Sequence, residues 1–199
     1  MKTMLKPILL LVMLVPTAVY VGGASTPTRS GYLDDYAHLR PGRHLDEYWV
    51  NSDAIVKSGS AKIVIGEINT NMIKNKKGVT VAQCSEWLKS GLTHSRLFSE
   101  SATGATAKID LAITFMDPGS ASARIWAGEL GAGHAKVQIE GRITDIRSGK
   151  LLATFADRGD SSGGLGLKDL KGDAGPALIQ HMIRKTAEAI DQEFSLYFR

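Results

Sequence analysis

The chain has 199 residues, which allows one domain with appended segments. Its formal net charge is +4 at pH 7, from 24 basic and 20 acidic residues, and it contains one cysteine. A single cysteine excludes an intramolecular disulfide. The mild charge, without a basic face lined by aromatic residues, argues against nucleic-acid binding.

The first 24 residues have the pattern of a secretory signal peptide. Lys2 and Lys6 precede an apolar stretch at 8–21, and residues 22–24 are small, as signal peptidase requires. We therefore predict cleavage near Ala24 and a periplasmic or secreted mature chain. An uncleaved anchor is the alternative, and membrane contact is then expected only through this segment. The segment contains no lipid-accepting cysteine.

Residues 25–57 are predicted to form a linker and an irregular arm, because they are rich in aromatic and charged residues but show no regular period. The arm carries His38, His44, Asp46 and Glu47, which together could supply nitrogen and oxygen ligands to a metal. No H-E-x-x-H motif or other tight ligand spacing is present. A solvated, salt-bridged arm is therefore favoured, and a metal-dependent hydrolase using these four residues is kept as an alternative.

A strand and a helix are predicted in the first part of the domain. The β-branched run at 61–68 predicts a largely buried strand. Thr80 and Gln83 fit a capping box at the start of a helix, which is expected to end near Gly91. One face of this helix is apolar and comprises Val81, Cys84, Leu88 and Leu92. Cys84 is therefore predicted to be a buried thiol rather than a nucleophile.

Two later segments alternate between apolar and polar residues, which predicts strands with one buried and one solvated face in an antiparallel sheet. In residues 107–119 the predicted buried side chains are Ile109, Leu111, Ile113 and Phe115. In residues 136–144 the predicted polar face comprises Lys136, Gln138, Glu140, Arg142 and Thr144. Gly149 then predicts the turn of a hairpin.

The two glycine-rich stretches do not match phosphate-binding loops. Residues 128–133 precede a strand rather than a helix, and 159–172 lacks the G-x-x-x-x-G-K-[ST] spacing. After Pro176, an apolar stripe at helical spacing predicts a final helix that covers the sheet. The elements together predict a single α+β domain over 58–199. It is expected to be a two-layer β-α-β-β-β-α sandwich, with a mainly antiparallel sheet covered on one face by two helices.

Residue patterns for catalysis are weak. The chain contains no G-x-S-x-G elbow. Asp110 and Glu140 lie on predicted polar strand faces, where paired carboxylates could do acid–base chemistry, but a charged outer ladder explains them more simply. We therefore predict no catalytic residue, no metal and no cofactor.

Two segments resemble bacterial envelope families. The stretch SGYLDDYAHLRPG (30–42) is similar to a motif of the family named domain of unknown function 3313. The stretch GAGHAKVQIEGRITDIRSGKLLATF (131–155) resembles the glycine-led hairpin of domain of unknown function 4410. The resemblance implies an extracytoplasmic α/β domain, with a layout similar to accessory subunits of envelope assembly and export systems. Many members are lipoproteins, and this chain differs from them because it has no lipid-accepting cysteine near the predicted cleavage site. The resemblance implies no catalytic residues.

The sequence therefore predicts an exported, non-catalytic protein that binds an envelope protein or polymer. The candidate partner surface comprises Lys136, Gln138, Glu140, Arg142, Ser162 and Lys168. A carrier of a small ligand, glycan or lipid, is a further alternative. Self-association is left open by the sequence, as is the identity of the partner.

Overall fold

The structure is a computed structural model and describes residues 27–52, 61–73, 79–120, 134–161 and 175–198. The predicted signal at 1–24, the glycine stretch at 128–133 and the loop residues Ser162 and Lys168 lie outside these ranges. Within them are the strands β1 (Arg40–Pro41), β2 (Glu47–Val50), β3 (Ile63–Asn69), β4 (Phe98–Ser99), β5 (Ala107–Asp117), β6 (Lys136–Asp145) and β7 (Leu151–Asp160). The helices are α1 (Val81–Thr93) and α2 (Gly175–Phe194). No helix in the described ranges has the length and apolar character needed to cross a membrane.

The described strands form one mixed sheet in the order β1-β2-β7-β6-β5-β3-β4. The four neighbouring pairs from β1 to β5 are antiparallel, and β3 runs parallel to both β5 and β4. The predicted α+β class is confirmed, although the sheet is antiparallel only in part. Gly149 has a φ of 70° in the turn between β6 and β7, which is the left-handed conformation that the hairpin prediction required.

Helices α1 and α2 pack on one face of the sheet, which we call the helix face. Phe155 of β7 contacts Phe194 of α2, with ring centroids 5.5 Å apart. Cys84 of α1 is fully buried and its sulfur lies 3.8 Å from that of Met116 in β5. The apolar stripes of both helices therefore belong to the core, as their spacing predicted.

Helix α1 begins as predicted and ends later than predicted. Thr80 and Gln83 form the complete capping box. The helix continues through Gly91 to Thr93, and α2 packs closely against Gly91. A Cβ atom at Gly91 would lie 2.6 Å from the Cβ of Ala187 in α2. The glycine is thus a packing residue and not a helix terminator.

A β-bulge in β5 overturns one prediction from the alternation. Ile113 pairs with Ile139 but Phe115 pairs with Gln138, so Thr114 is an extra residue on this strand. Phe115 is therefore turned away from the helix face. Met116, which is 3% exposed, takes the core position that the sequence pattern had given to Phe115.

The opposite face of the sheet is buried at the centre of β6, where the prediction expected solvent. Gln138 and Glu140 in β6 are both 0% exposed. They are covered by residues 27–38, which we call the arm segment, and Lys136 and Arg142 on the same face are half-buried. The prediction of an irregular arm over 25–57 is therefore wrong in part, because β1 and β2 lie within this range and belong to the sheet.

Candidate binding surface between the arm segment and the sheet

A buried polar cluster joins the arm segment to the centre of β6. The Glu140 carboxylate accepts a hydrogen bond from the Tyr36 hydroxyl at 2.6 Å through Oε2. Its Oε1 accepts from Thr114 Oγ1 at 3.0 Å and from Gln138 Nε2 at 2.7 Å. Both oxygens of this buried carboxylate are therefore satisfied by neutral donors, which is the condition for burying such a group at tolerable cost.

Gln138 fixes the start of the arm segment. Its Oε1 accepts from the backbone N–H of Thr28 at 2.8 Å and from the Thr28 hydroxyl at 3.1 Å. Its Nε2 donates to the Thr28 carbonyl at 2.6 Å. The side-chain amide thus pairs with one residue of the arm backbone as a neighbouring strand would.

The Tyr36 hydroxyl also organises the arm segment itself. It accepts hydrogen bonds from the backbone N–H groups of Gly31 at 3.0 Å and Leu33 at 3.2 Å. Because the same hydroxyl donates to Glu140, the loop at 31–36 is tied to the sheet through one oxygen atom. The side chain of Leu33 in this loop is buried, with 4% exposure.

Two arginines stack on tyrosines of the arm segment. The Arg29 guanidinium lies 5.0 Å from the Tyr36 ring centre and also pairs with Glu47 of β2. The Arg142 guanidinium lies 5.3 Å from the Tyr32 ring centre. Burial raises the pKa of Tyr32 to about 12, against the opposing effect of Arg142. The Arg142–Tyr32 contact thus adds a cation–π interaction between the arm segment and the sheet, whereas the Arg29–Tyr36 contact lies within the arm segment.

The predicted partner surface is therefore divided. Gln138 and Glu140 lie inside the arm–sheet contact, so their predicted exposure is wrong, while Lys136 and Arg142 keep a partly exposed position. Glu140 also does not form a charged outer ladder with Asp110. Asp110 instead pairs with Lys108 at 2.9 Å and accepts from the backbone of Glu67.

In the part of the chain that the structure describes, two clefts lie between the arm segment and the sheet. The smaller, which we call the Trp49 cleft, has a volume of about 240 Å³. It is lined by Leu33, Asp34, Asp35, His38, Trp49, Arg142, Leu151 and Thr154. The larger, which we call the Phe115 cleft, has a volume of about 520 Å³. It is lined by Thr28, Arg29, Ser30, Met72, Thr114, Phe115, Met116 and Asp117.

The four arm residues of the metal hypothesis are not brought together. His38 Nδ1 lies 2.6 Å from Oδ2 of Asp35, which precedes it by three residues, and both side chains are exposed. Glu47 pairs with Arg29. Within the described ranges no group of three or more potential ligands from His, Cys, Asp and Glu is close enough to hold a metal ion.

His44 and Asp46, the other two residues of that hypothesis, attach the chain before β2 to the rest of the molecule. His44 contributes its backbone N–H to the Glu193 carboxylate of α2, at 2.7 Å, beside that of Arg43 at 2.8 Å. Asp46 Oδ2 accepts from the backbone N–H of Arg158 at 2.8 Å. Both contacts are structural, and they tie the chain before β2 to α2 and to β7.

Asp46, the residue before β2, lies next to Asp157 of β7. The Asp157 carboxylate accepts from the backbone N–H of Asp46 at 3.1 Å and from the Thr186 hydroxyl at 2.8 Å. Burial raises the pKa of Asp157 to about 6, and the neighbouring Asp46 adds to this rise. Burial also raises the pKa of Asp46. The pair sits where the start of β2 contacts the helix layer.

The residues of the Trp49 cleft were not selected from the sequence, except for Arg142 and His38. Trp49 and Leu151 come from strands that are 100 residues apart, and Leu33 comes from an arm without periodicity. No local sequence pattern points to this cleft, because the exposure of Leu151, which is 39% accessible, is a property of the folded chain.

Comparison with protein-family models identifies the family of the chain. The model described as "Domain of unknown function (DUF4410)" matches residues 49–163, which is more than half of the chain. The chain belongs to this family. The suspected resemblance of residues 131–155 to DUF4410 is thereby confirmed. The matched segment starts at Trp49 and contains β3 to β7, whereas the arm segment and α2 lie outside it. The likeness of residues 30–42 to family 3313 stays a prediction.

Solved structures and curated proteins add little to the DUF4410 assignment. The PelC dodecamer from Paraburkholderia phytofirmans is 11% identical, over 66% of this chain and 89% of that chain, with a TM-score of 0.42. The hypothetical protein CT253 from Chlamydia trachomatis is 11% identical, over 69% and 99%, with a TM-score of 0.44. Protein XCC0632 from Xanthomonas campestris is 10% identical, over 69% and 84%, with a TM-score of 0.41. Likenesses of this strength do not extend to function, and no curated protein gave a significant match.

Proposed function

We propose that this protein is an exported, non-catalytic binding protein that serves as an accessory or assembly subunit of a cell-envelope system. The export part of the proposal rests on the basic and apolar pattern of residues 1–24, with cleavage near Ala24. The partner is an envelope protein or polymer.

The observation that carries the binding part is the way in which the arm segment closes over β6. The carboxylate of Glu140 and the amide of Gln138 are both occupied by structural hydrogen bonds. The surface left open beside them consists of clefts with apolar walls and a polar rim, which is the usual composition of a binding site.

Fractionation and crosslinking in intact cells test this proposal. We expect the chain in the periplasmic or envelope fraction, and we expect an amine-reactive crosslinker to shift it into a discrete larger species. Mass spectrometry of that species identifies the partner or reveals a second copy of the chain. Recovery only as an uncrosslinked monomer, under every condition in which the protein is made, would contradict the proposal.

A small-ligand carrier is the second candidate, and the Phe115 cleft favours it. Its volume of about 520 Å³ lies inside the range of about 300–1,000 Å³ that is typical of small-molecule sites. A carrier should gain thermal stability with a saturating glycan or lipid, because a ligand that binds only the folded state shifts the unfolding equilibrium. A stabilisation that is lost in Phe115→Ala and kept in Leu151→Asn would favour this function over the first.

A further inference from the structure

The Trp49 cleft combines an apolar interior with an open mouth. Trp49 and Thr154 are opposite each other on β2 and β7, and Leu33 of the arm segment closes one side. Leu151 lies at the mouth and is 39% exposed. Apolar atoms make up most of the wall, so burying an apolar group here gains free energy from both surfaces.

The size of the cleft favours a side chain as its occupant. Its volume of about 240 Å³ lies below the range of about 300–1,000 Å³ that is typical of small-molecule sites. A single large aliphatic or aromatic group that inserts from another molecule fits such a space. Binding through one inserted apolar anchor is a common way in which protein interfaces are built.

The rim of the cleft carries exposed negative charge. Asp34 and Asp35 are both exposed and follow Leu33 directly in the chain. A hydrogen bond from the backbone N–H of Ala37, and a second from His38, lower the pKa of Asp35, so that it stays ionised. The one arginine of the lining, Arg142, is half-buried under the Tyr32 ring. Apart from His38, which pairs with Asp35, the exposed ionisable residues of the lining are therefore acidic.

We propose that the Trp49 cleft is a docking pocket for one large apolar side chain of a partner protein, in a segment where that side chain is next to lysine or arginine. The apolar anchor fills the space between Trp49, Leu33 and Leu151, and the basic neighbour meets Asp34 and Asp35. The inference rests on the proposed function and specifies the chemistry of its partner.

Selection from a phage-displayed library of random linear peptides tests the proposal. The purified full-length chain is the bait, and Leu151→Asn is the matched counter-bait. Leu196→Asn is the control, because Leu196 is 43% exposed, much like Leu151, but lies beyond the end of α2. We expect an enriched motif in which an aromatic or large aliphatic residue adjoins a basic residue.

Titration of the enriched peptide provides the quantitative measurement. Leu151→Asn should weaken its affinity about ten-fold, which corresponds to the loss of one apolar contact, while Leu196→Asn should leave it unchanged. Asp34→Asn should weaken it about two- to five-fold, and most of that difference should disappear in high salt because exposed charges are screened. Near-identical circular dichroism spectra of the three variants show that folding is not the cause.

Three outcomes would overturn the proposal. The first is a motif without a basic residue, and the second is a motif that is enriched equally on Leu151→Asn. The third is the absence of any peptide motif while chito-oligosaccharides shift the Trp49 indole resonance, which would make the cleft a sugar site. If the protein crosslinks to an envelope partner in cells equally well with Leu151→Asn, the proposed function stands and only the docking pocket is wrong.

Discussion

Glu140 is fully buried under the arm segment, and yet both of its carboxylate oxygens accept hydrogen bonds. The Tyr36 hydroxyl is the donor that comes from the arm, and it also accepts from two backbone N–H groups of the loop that it closes. Removing this hydroxyl leaves several polar groups without a partner at once. The cost of unsatisfied buried groups exceeds the net gain from the bonds when they are made.

We predict that Tyr36→Phe lowers the free energy of unfolding by about 1–3 kcal/mol. Tyr32→Phe is the matched control, because its ring stays over Arg142, and it should change stability by less than about 0.5 kcal/mol. Urea denaturation of both variants measures the difference. Equal midpoints for the two would show that the Tyr36–Glu140 contact does not hold the arm.

Asp157 links stability to pH. Its folded pKa of about 6 lies above the unfolded value of 3.8, so the folded state binds the proton more tightly. The stabilisation from this group is therefore complete below about pH 4, falls as the pH rises toward 6, and is absent above that. The full span is about 3 kcal/mol.

We predict that Asp157→Asn flattens this pH dependence and makes the protein more stable than the wild type at pH 7.5, by up to about 3 kcal/mol. An asparagine keeps an oxygen for the Asp46 N–H and an amide group for Thr186. Urea denaturation between pH 4.5 and 8 is the measurement. Asp145→Asn is the control with the opposite sign, because hydrogen bonds from Ser148 lower the pKa of Asp145. It should keep the wild-type slope in this range.

Among the secondary-structure elements, β3, β5, β6, β7 and both helices followed from the sequence pattern, whereas β1, β2, β4 and the bulge in β5 did not. The capping box at Thr80 and the turn at Gly149 depend on local hydrogen bonds and backbone angles, which a short stretch of sequence specifies. The position of Phe115 depends instead on an extra residue opposite β6. Such a register shift is set by the partner strand, so one strand considered alone gives the wrong face.

The contact between α1 and α2 provides a test at the level of elements. Glycine within an isolated helix is about 1 kcal/mol less favourable than alanine, so propensity alone predicts that Gly91→Ala stabilises. The Ala187 Cβ lies 2.6 Å from the new methyl position. We therefore predict that Gly91→Ala destabilises by about 1–3 kcal/mol, because overpacking outweighs propensity. Thermal and urea denaturation give the sign.

Ala187→Gly added to Gly91→Ala should return the space and recover at least about 1 kcal/mol relative to the sum of the two single changes. Ser90→Ala, on the preceding residue of α1, controls for helix propensity alone. Additive effects of the two substitutions would mean that the helices separate slightly and that the close approach is not limiting.

At the scale of the whole molecule, the sequence predicted the α+β class and the helix face but not the second cover of the sheet. Alternation in β6 indicated a polar face, and polar faces are usually solvated. The arm segment that covers it has no period, and Tyr36 is 104 residues from Glu140. The folded structure is needed to show that the polar residues of β6 bind the arm segment of the same chain. For the same reason the clefts could not be predicted, since their walls come from distant segments.

We predict that the arm segment opens more readily than the rest of the molecule. Opening it exposes mainly polar groups such as Gln138 and Glu140, which water can solvate, whereas opening the helix face exposes apolar core. Native-state hydrogen exchange should give lower opening free energies for the amides of Thr28 and Leu33 than for Ile139 of β6, by several kcal/mol. Equal values would show that the arm and the sheet unfold as one unit.

The burial of Cys84 has a practical consequence. The thiol is 0% exposed and its sulfur lies against that of Met116, so a maleimide or an oxidant in solution meets no sulfhydryl on the native surface. The compartment predicted for this protein is oxidising, where an accessible thiol would couple chains together. Covalent modification of the Cys84 thiol therefore requires that α1 first separates from the sheet. The rate of thiol labelling therefore reports how often the native structure opens at α1, without an engineered probe.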